Sequence, residues 1–313
     1  MPTSVKNRQT PKTKWTKWTR LALTAAAALL LLLAAVLAAK WFMALDGTTS
    51  FLQEFQGHTK RPEGTPAGFP AWLGWQHFLN TFFLVLIIRT GWQIRTDTRP
   101  NGHWTRNNRG FVRTKRAPTK ISLDLWLHLT LDVLWILNGI IFVILLFMTG
   151  HWQRIVPTSW DIVPNALSAG LQYLALDWPT EDGWVNYNAL QLLAYFVTVF
   201  MAAPLAFLTG LRMSPLWPKQ LSKLNRMYPI EVARALHFPV MIYFVGFVVV
   251  HVALVLATGA LRNLNHMYAS SNEENWTGFW IFGASLIVMV AAWFLTKPLF
   301  LRPVASLTGS VTR

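Results

Sequence analysis

Six stretches of the chain are apolar and long enough to cross a lipid bilayer, which takes about 20 helical residues. We predict these stretches, numbered as spans 1 to 6, at 21–43, 72–94, 125–149, 189–211, 236–260 and 278–299. The segments between them are polar and carry most of the charged residues. This alternation predicts an all-α integral membrane protein with six transmembrane helices.

Span 1 is almost pure alanine and leucine after a basic leader. A cleaved signal peptide is one interpretation of this pattern, and an uncleaved membrane anchor is the other. The apolar run LALTAAAALLLLLAAVLAA is longer than the roughly 7–15 residues of a signal-peptide core. We therefore favour an anchor over 21–43, preceded by a basic cytoplasmic tail over 1–20.

The charge of the chain is distributed unevenly between the two sets of loops. The 313 residues carry a formal net charge of +15, from 28 Lys and Arg against 13 Asp and Glu. The segments 1–20, 95–124, 212–235 and 297–313 hold 6, 8, 5 and 3 basic residues, whereas 44–71, 150–188 and 261–277 hold 2, 1 and 1. Positive loops mark the cytoplasmic side. We therefore predict a bacterial plasma-membrane protein with both termini in the cytoplasm. Topology explains the charge without a nucleic-acid partner.

The chain contains no cysteine, so disulfides, iron–sulfur clusters and thiolate metal sites are excluded. Histidines are the remaining candidate ligands. Four of the eight lie inside spans, where ionisable side chains are costly and mark functional sites. These four are His77, His128, His237 and His251.

His237 and His251 lie 14 residues apart in span 5. Since 14 residues make nearly four helical turns, the two side chains share a face about 21 Å apart along the axis. The predicted topology puts His77 near the outer end of span 2 and His128 near the inner end of span 3. We therefore pair His77 with His251, the outer pair, and His128 with His237, the inner pair.

Two histidines per site, without further ligands, suit a low-spin haem that transfers electrons. A zinc site would need three or four ligands in one place. The alternative is that these histidines only pack or form hydrogen bonds, but four at two matched depths favour haem. The sequence therefore predicts two haem b groups with His77, His128, His237 and His251 as axial iron ligands.

GWQHFLN around His77 and ALHFPVMIYFVGFVVVHVALVLATG around His237 and His251 resemble two helices of the bacterial di-haem cytochrome b family, of the cytochrome b561 and nickel-hydrogenase cytochrome b type. The resemblance covers about residues 70–300. It implies a four-helix haem-binding core, here spans 2–5. Residues 70–300 are then the di-haem membrane domain and 301–313 a cytoplasmic tail.

The resemblance also implies the partners of the chain. It indicates an electron-transfer subunit, rather than a complete enzyme, that works between an extracytoplasmic redox subunit and the quinone pool. That subunit would be of the molybdopterin oxidoreductase, hydrogenase or formate dehydrogenase type. The long loop 150–188 is the predicted docking surface. It includes a candidate short interfacial helix between Pro164 and Leu176.

Other residues are secondary candidates for the site. Asp132, four residues after His128, is placed to orient an imidazole or carry protons. Arg89 is a candidate partner for Asp132 or for a haem propionate, and Arg234 is a second propionate candidate. His151 is the rival of His128 for the fourth ligand, although it lies at the opposite end of span 3.

A different class of function remains open from the sequence. A proton or metal-ion transporter or channel would also place histidines inside the membrane. It predicts a continuous polar path, and the spans offer few polar residues beyond Asp132, Asn138 and Arg89. A haem-free membrane anchor is the third hypothesis, which the two histidine pairs disfavour.

Overall fold

The computed structural model of the protein describes residues 16–97, 99–108, 117–178, 182–218 and 220–312. Most of the predicted basic tail, and the basic run from Arg109 to Arg116, lie outside the described residues. Among the described residues, six helices are long and apolar enough to cross a membrane, at Lys17–Met43, Ala71–Thr96, Leu123–Met148, Ala189–Met213, Ile230–Ala257 and Thr277–Leu295. They correspond to spans 1 to 6 in order. The predicted all-α membrane fold is confirmed.

Local sequence accounts for where several spans begin. The Ser122 side chain accepts a hydrogen bond from the Leu125 amide at the start of span 3. Asn188 forms a capping box with Gln191 at the start of span 4. Span 5 begins at Ile230, directly after Pro229 and six residues before the predicted start. Polar residues of its first turns, including Glu231 and Arg234, concealed this extension from a search for apolar runs.

Span 4 is one helix with a single irregular turn. Its α-helical ends, Ala189–Phe196 and Ala203–Met213, are joined by a π-helical turn over Val197–Ala202. Pro204 follows at the second position of the last segment. Proline has no amide hydrogen, so a wider turn before it accommodates the missing helical bond.

Two buried clusters join spans 2–5. Leu86 of span 2 packs with Leu127 and Leu131 of span 3 and with Leu301 near the C-terminus. Leu84, also of span 2, packs on the other side with residues of spans 4 and 5. Trp135 of span 3 also packs against this second cluster, where its ring meets Phe244 of span 5 edge-on at 6.2 Å, so span 3 contacts span 5 directly. This arrangement gives the four-helix core that the sequence predicts.

Large apolar side chains cover the outside of the helices. Met148 is 79% exposed and Ile287 is 72% exposed, and many leucines of span 1 are similarly open. An apolar surface of this extent would be unstable in water, and lipid tails cover it in a membrane.

The described residues of the loops 44–70, 150–178, 182–188 and 261–276 pack together as one layer at one end of the helices, here called the outer layer. The Gly57 amide donates to Asn165 Oδ1, and the Gly57 carbonyl accepts from the Ala189 amide. The helix Ile162–Leu174 lies in this layer, so the predicted short helix is confirmed. The remaining short helices of the layer are Asp46–Glu54, the 3₁₀ turn His151–Arg154, Ala260–Leu264 and the π turn Asn265–Ala269.

A small antiparallel sheet lies at the opposite end. Its strands are β1 (His103–Arg106), β2 (Lys120–Ser122) and β3 (Gly309–Thr312), in the order β2-β1-β3. Helices Ser222–Met227 and Pro298–Ser306 lie on the same side. The hydrophobic pattern did not predict this sheet, because strands of three or four residues are too short to show an alternation.

Candidate histidine-pair site

Span 5 carries one member of each predicted pair. The helix is unbroken from Ile230 to Ala257, with Pro239 inside it. His237 and His251 therefore keep the regular helical spacing of about 21 Å along one face. Each meets a histidine from a different span, so the two pairs lie at different depths.

The structure brings the outer pair together. The ring centroids of His77 and His251 are 6.2 Å apart, with the ring planes inclined by 54°. His77 comes from span 2, as the sequence predicts.

The inner pair has nearly the same separation. The ring centroids of His128 and His237 are 6.5 Å apart, with the planes inclined by 71°. His151 lies at the other end of span 3, where its ring packs edge-on against Trp72 at 5.6 Å. Of the two candidates for the fourth position, His128 is the one that meets His237.

Both separations fit a metal ion held between two imidazoles. A metal–imidazole bond is about 2 Å long, and the bonded nitrogen is about 1 Å from its ring centre, so opposed rings bound to one metal have centroids about 6 Å apart. Among the described residues, no group of three or more histidines and acids gathers where it could hold a metal ion. A donor set of two neutral imidazoles suits haem better than zinc.

The inner pair is held by hydroxyl groups. His128 Nδ1 is hydrogen-bonded to the Thr90 hydroxyl at 2.9 Å, and His237 Nδ1 to the Thr209 hydroxyl at 2.8 Å. Both threonines are completely buried. In each ring the remaining nitrogen, Nε2, is left for a ligand.

A glycine follows each of these threonines. A Cβ added to Gly91 would lie 3.3 Å from His128 Cε1, and one added to Gly210 would lie 3.5 Å from His237 Cε1. The imidazoles thus lie almost against the backbone of spans 2 and 4. Sequence reasoning missed these residues, because the Thr-Gly dipeptide occurs six times in the chain and nothing in the sequence marks the two copies at the inner pair.

The outer pair has aromatic surroundings instead. The His77 ring meets Tyr268 edge-on at 5.8 Å, and the His251 ring lies parallel to Phe247 at 5.6 Å and edge-on to Tyr195 at 6.1 Å. His77 Nδ1 is buried without a hydrogen-bond partner among the described residues. His151 Nε2 is also buried without a partner among the described residues, so an unpartnered ring nitrogen is not specific to the paired histidines.

Asp132 approaches the inner pair from the side of the ligand nitrogen. Its Oδ2 is 3.7 Å from His128 Nε2, whereas Thr90 occupies Nδ1. The orienting contact that the sequence suggested for Asp132 is therefore made by Thr90. Asp132 places a carboxylate near the His128 ring nitrogen that Thr90 leaves free.

Arg89 and Arg234 have different settings. The Arg89 guanidinium lies 4.8 Å from the centre of the Trp293 ring, and its Nη1 is buried without a hydrogen-bond partner among the described residues. No ion pair between Arg89 and Asp132 is present in the described part of the chain. Arg234 is exposed in the second turn of span 5.

Arg154 is a buried cation that sequence reasoning overlooked. Its side chain is 4% exposed, donates to the carbonyls of Gly68 and Gly183, and lies over the rings of Phe69 and Tyr187. It thereby fastens two loops of the outer layer. Its positive charge, together with burial as the larger cause, lowers the pKa of nearby His151.

Comparisons with known proteins agree with the geometry. Residues 68–270 match the family model described as prokaryotic cytochrome b561, a range that contains all four paired histidines. The chain is also 29% identical over 199 residues to a putative protein-methionine-sulfoxide reductase subunit, YedZ1, of Azospira oryzae. That similarity covers 59% of this chain and 88% of the relative. No solved structure matches the chain.

Proposed function

Because this chain belongs to the prokaryotic cytochrome b561 family of membrane haem b electron-transfer subunits, we propose that it holds two b-type haems, one at each histidine pair. His77 and His251 would hold the outer haem, and His128 and His237 would hold the inner haem. The observation that carries this proposal is the pair of imidazole separations, 6.2 and 6.5 Å, both built on span 5.

Haem iron supplies reversible one-electron transfer when it is bound. The chain would supply two imidazoles to each haem, a donor set that suits electron transfer. It also supplies apolar helices that keep water away and fix both centres on one rigid span. The distance along span 5, about 21 Å, crosses most of a hydrocarbon core about 30 Å thick.

The proposed orientation has both termini in the cytoplasm of a bacterial cell and the outer layer on the opposite face. An extracytoplasmic redox subunit docks on that layer, and quinone is the diffusible partner in the membrane. The likeness to a putative protein-methionine-sulfoxide reductase subunit favours a reductase partner over a hydrogenase or a formate dehydrogenase. Of the partner types that the sequence suggests, this leaves the molybdopterin oxidoreductase. Family membership favours electron transfer over a histidine-dependent transporter or channel.

The unpartnered Nη1 of Arg89 supports its assignment as a contact for a haem propionate. Arg234 is a second such contact, at the exposed start of span 5. Substitution of either by Gln is expected to leave both axial ligands in place. The arginine variants should therefore keep two haems per chain, whereas replacement of any of the four histidines should lower the haem content.

Purified protein tests the proposal through haem stoichiometry. We expect two haems per chain, with reduced-minus-oxidised spectra of bis-histidine b type. The His128→Leu variant should keep one haem, whereas His151→Leu, a matched change at the other end of span 3, should keep two. A colourless protein from haem-replete cells, or loss of haem on replacing His151 instead of His128, would contradict the assignment.

Orientation has an independent test, because the chain has no cysteine of its own. Single cysteines at Trp160, which is 91% exposed in the outer layer, and at Leu307, which is 83% exposed near β3, report the two sides. In intact cells a membrane-impermeant thiol reagent should label Trp160→Cys and spare Leu307→Cys. The reverse pattern would invert the proposed topology.

A further inference from the structure

The inner pair has two neighbours that are arranged in the same way on different helices. Thr90 and Gly91 lie on span 2 against His128, and Thr209 and Gly210 lie on span 4 against His237. The outer pair is surrounded instead by the aromatic rings of Tyr195, Phe247 and Tyr268. The repeated arrangement is present at the inner pair and not at the outer pair among the described residues, so we expect the two centres to differ in their chemical properties.

The hydrogen-bonding partners of Thr90 determine the proton position on His128. The Thr90 hydroxyl is 2.9 Å from the Leu86 carbonyl and 3.0 Å from the Ile87 carbonyl, and carbonyls only accept. The single hydroxyl proton is therefore donated to the backbone. The contact with His128 must then run from the imidazole Nδ1–H to the hydroxyl oxygen.

The same reasoning applies to the other half of the inner pair. The Thr209 hydroxyl is 2.7 Å from the Leu205 carbonyl and 3.0 Å from the Ala206 carbonyl, so it too donates to its own helix. His237 Nδ1–H donates to Thr209. Both inner imidazoles thus carry their proton on Nδ1 and present a bare Nε2.

Resting on the proposed function, we propose that Thr90 and Thr209 are positioning residues that fix the tautomer and ring orientation of the inner ligands and lower the reduction potential of the inner centre. A hydrogen bond donated by Nδ1–H makes the imidazole a stronger electron donor, which favours the oxidised iron. Gly91 and Gly210 let each ring lie close enough to its helix for this bond to form.

Valine replaces threonine at nearly the same size and removes the hydroxyl. We expect Thr90→Val and Thr209→Val each to raise one of the two midpoint potentials in a redox titration and to shift the low-spin ferric EPR signal of that centre alone. The double variant should give a larger shift in the same direction. Thr90→Ser and Thr209→Ser, which keep the hydroxyl, should restore the wild-type values.

Thr81 provides a matched control on span 2. Its hydroxyl also bonds a backbone carbonyl four residues earlier, that of His77, at 2.9 Å. Thr81→Val removes that bond without removing an imidazole contact of the inner pair. It should leave the inner potential and its EPR signal unchanged.

The outcomes separate this proposal from the proposed function. Loss of the inner haem in a valine variant that the serine variant recovers supports positioning by the hydroxyl. Two haems with unchanged potentials and EPR signals in the valine variants would overturn the role of the threonines and leave the two-haem assignment standing. A wild-type protein with fewer than two haems would overturn the proposed function itself.

Discussion

The outer and inner pairs have almost the same imidazole spacing and very different surroundings. The outer pair meets tyrosine and phenylalanine rings, and His77 Nδ1 has no partner among the described residues. In the inner pair, both Nδ1 atoms are bonded to threonine hydroxyls, and a carboxylate lies beside one Nε2. Span 5 gives each site an equivalent ligand, so the neighbouring spans make the two centres distinct.

The largest expected effect comes from removing one member of each pair on span 5. His251→Leu should take the haem content from two per chain to one and eliminate the outer EPR signal. His237→Leu should also leave one haem but eliminate the inner signal, because the sites share no ligand. Haem assay with EPR checks both variants. Loss of the same signal in the two variants would show that the pairs are not separate centres.

Arg154→Met should have the next largest effect, and only at the outer end. It leaves the Gly68 and Gly183 carbonyls without their donor, and each unsatisfied buried polar group costs about 1–3 kcal/mol. We expect a loss of about 2–4 kcal/mol in unfolding free energy. Thermal unfolding followed by tryptophan fluorescence measures it.

Arg61 is the control for this change, since its guanidinium bonds the Val185 carbonyl across the same loops but at an exposed position. Arg61→Met should cost less than about 1 kcal/mol. The inner EPR signal should survive in both variants. Equal destabilisation by the two changes would show that burial of Arg154 does not matter.

A smaller effect is expected from Gly91→Ala. The new methyl group would lie 3.3 Å from His128 Cε1, so the ring must move by a few tenths of an ångström. We expect a shifted inner EPR signal, an unchanged outer signal and a stability cost of about 1 kcal/mol. Gly283→Ala in span 6, where an added Cβ meets nothing within 4 Å, should change neither signal. Identical spectra for both variants would contradict the close contact.

Asp132→Asn should change the inner midpoint potential without loss of haem. The carboxylate 3.7 Å from His128 Nε2 stabilises positive charge at the inner centre, so its neutralisation should raise the inner midpoint potential. Haem content should stay at two, and the outer potential should not move. Asp161→Asn, in the outer layer, is the control for removal of a carboxylate. A fall in the inner midpoint potential would show that the Asp132 carboxylate does not stabilise positive charge at the inner centre.

The sequence was sufficient to predict the six spans and both pairs. Hydropathy located the helices, and the 14-residue spacing on span 5 put His237 and His251 at two depths. The distribution of Lys and Arg among the loops predicted which helix ends lie on the same side of the membrane. These features depend on composition and helical periodicity, which a single sequence displays. Depth in the membrane also favoured His128 over His151 as the partner of His237, because His151 lies at the opposite end of span 3.

What the sequence did not reveal depends on contacts between distant segments. Thr90 meets His128 only because spans 2 and 3 pack at a particular rotation, which periodicity does not determine. Arg154 appeared as the only basic residue of a long loop, and its burial follows from the folding of that loop onto another. The sheet joins β1 to β3 across about 200 residues, a pairing that no local pattern encodes.

A density map of the haem-loaded protein, by cryo-electron microscopy, tests the central claim most directly. We predict two flat macrocycle densities, one between His77 and His251 and one between His128 and His237, with irons about 20 Å apart. The threonine hydroxyls should lie against the inner imidazoles on the side away from the iron. A macrocycle coordinated by His151, or a single macrocycle in the four-helix core, would contradict the account.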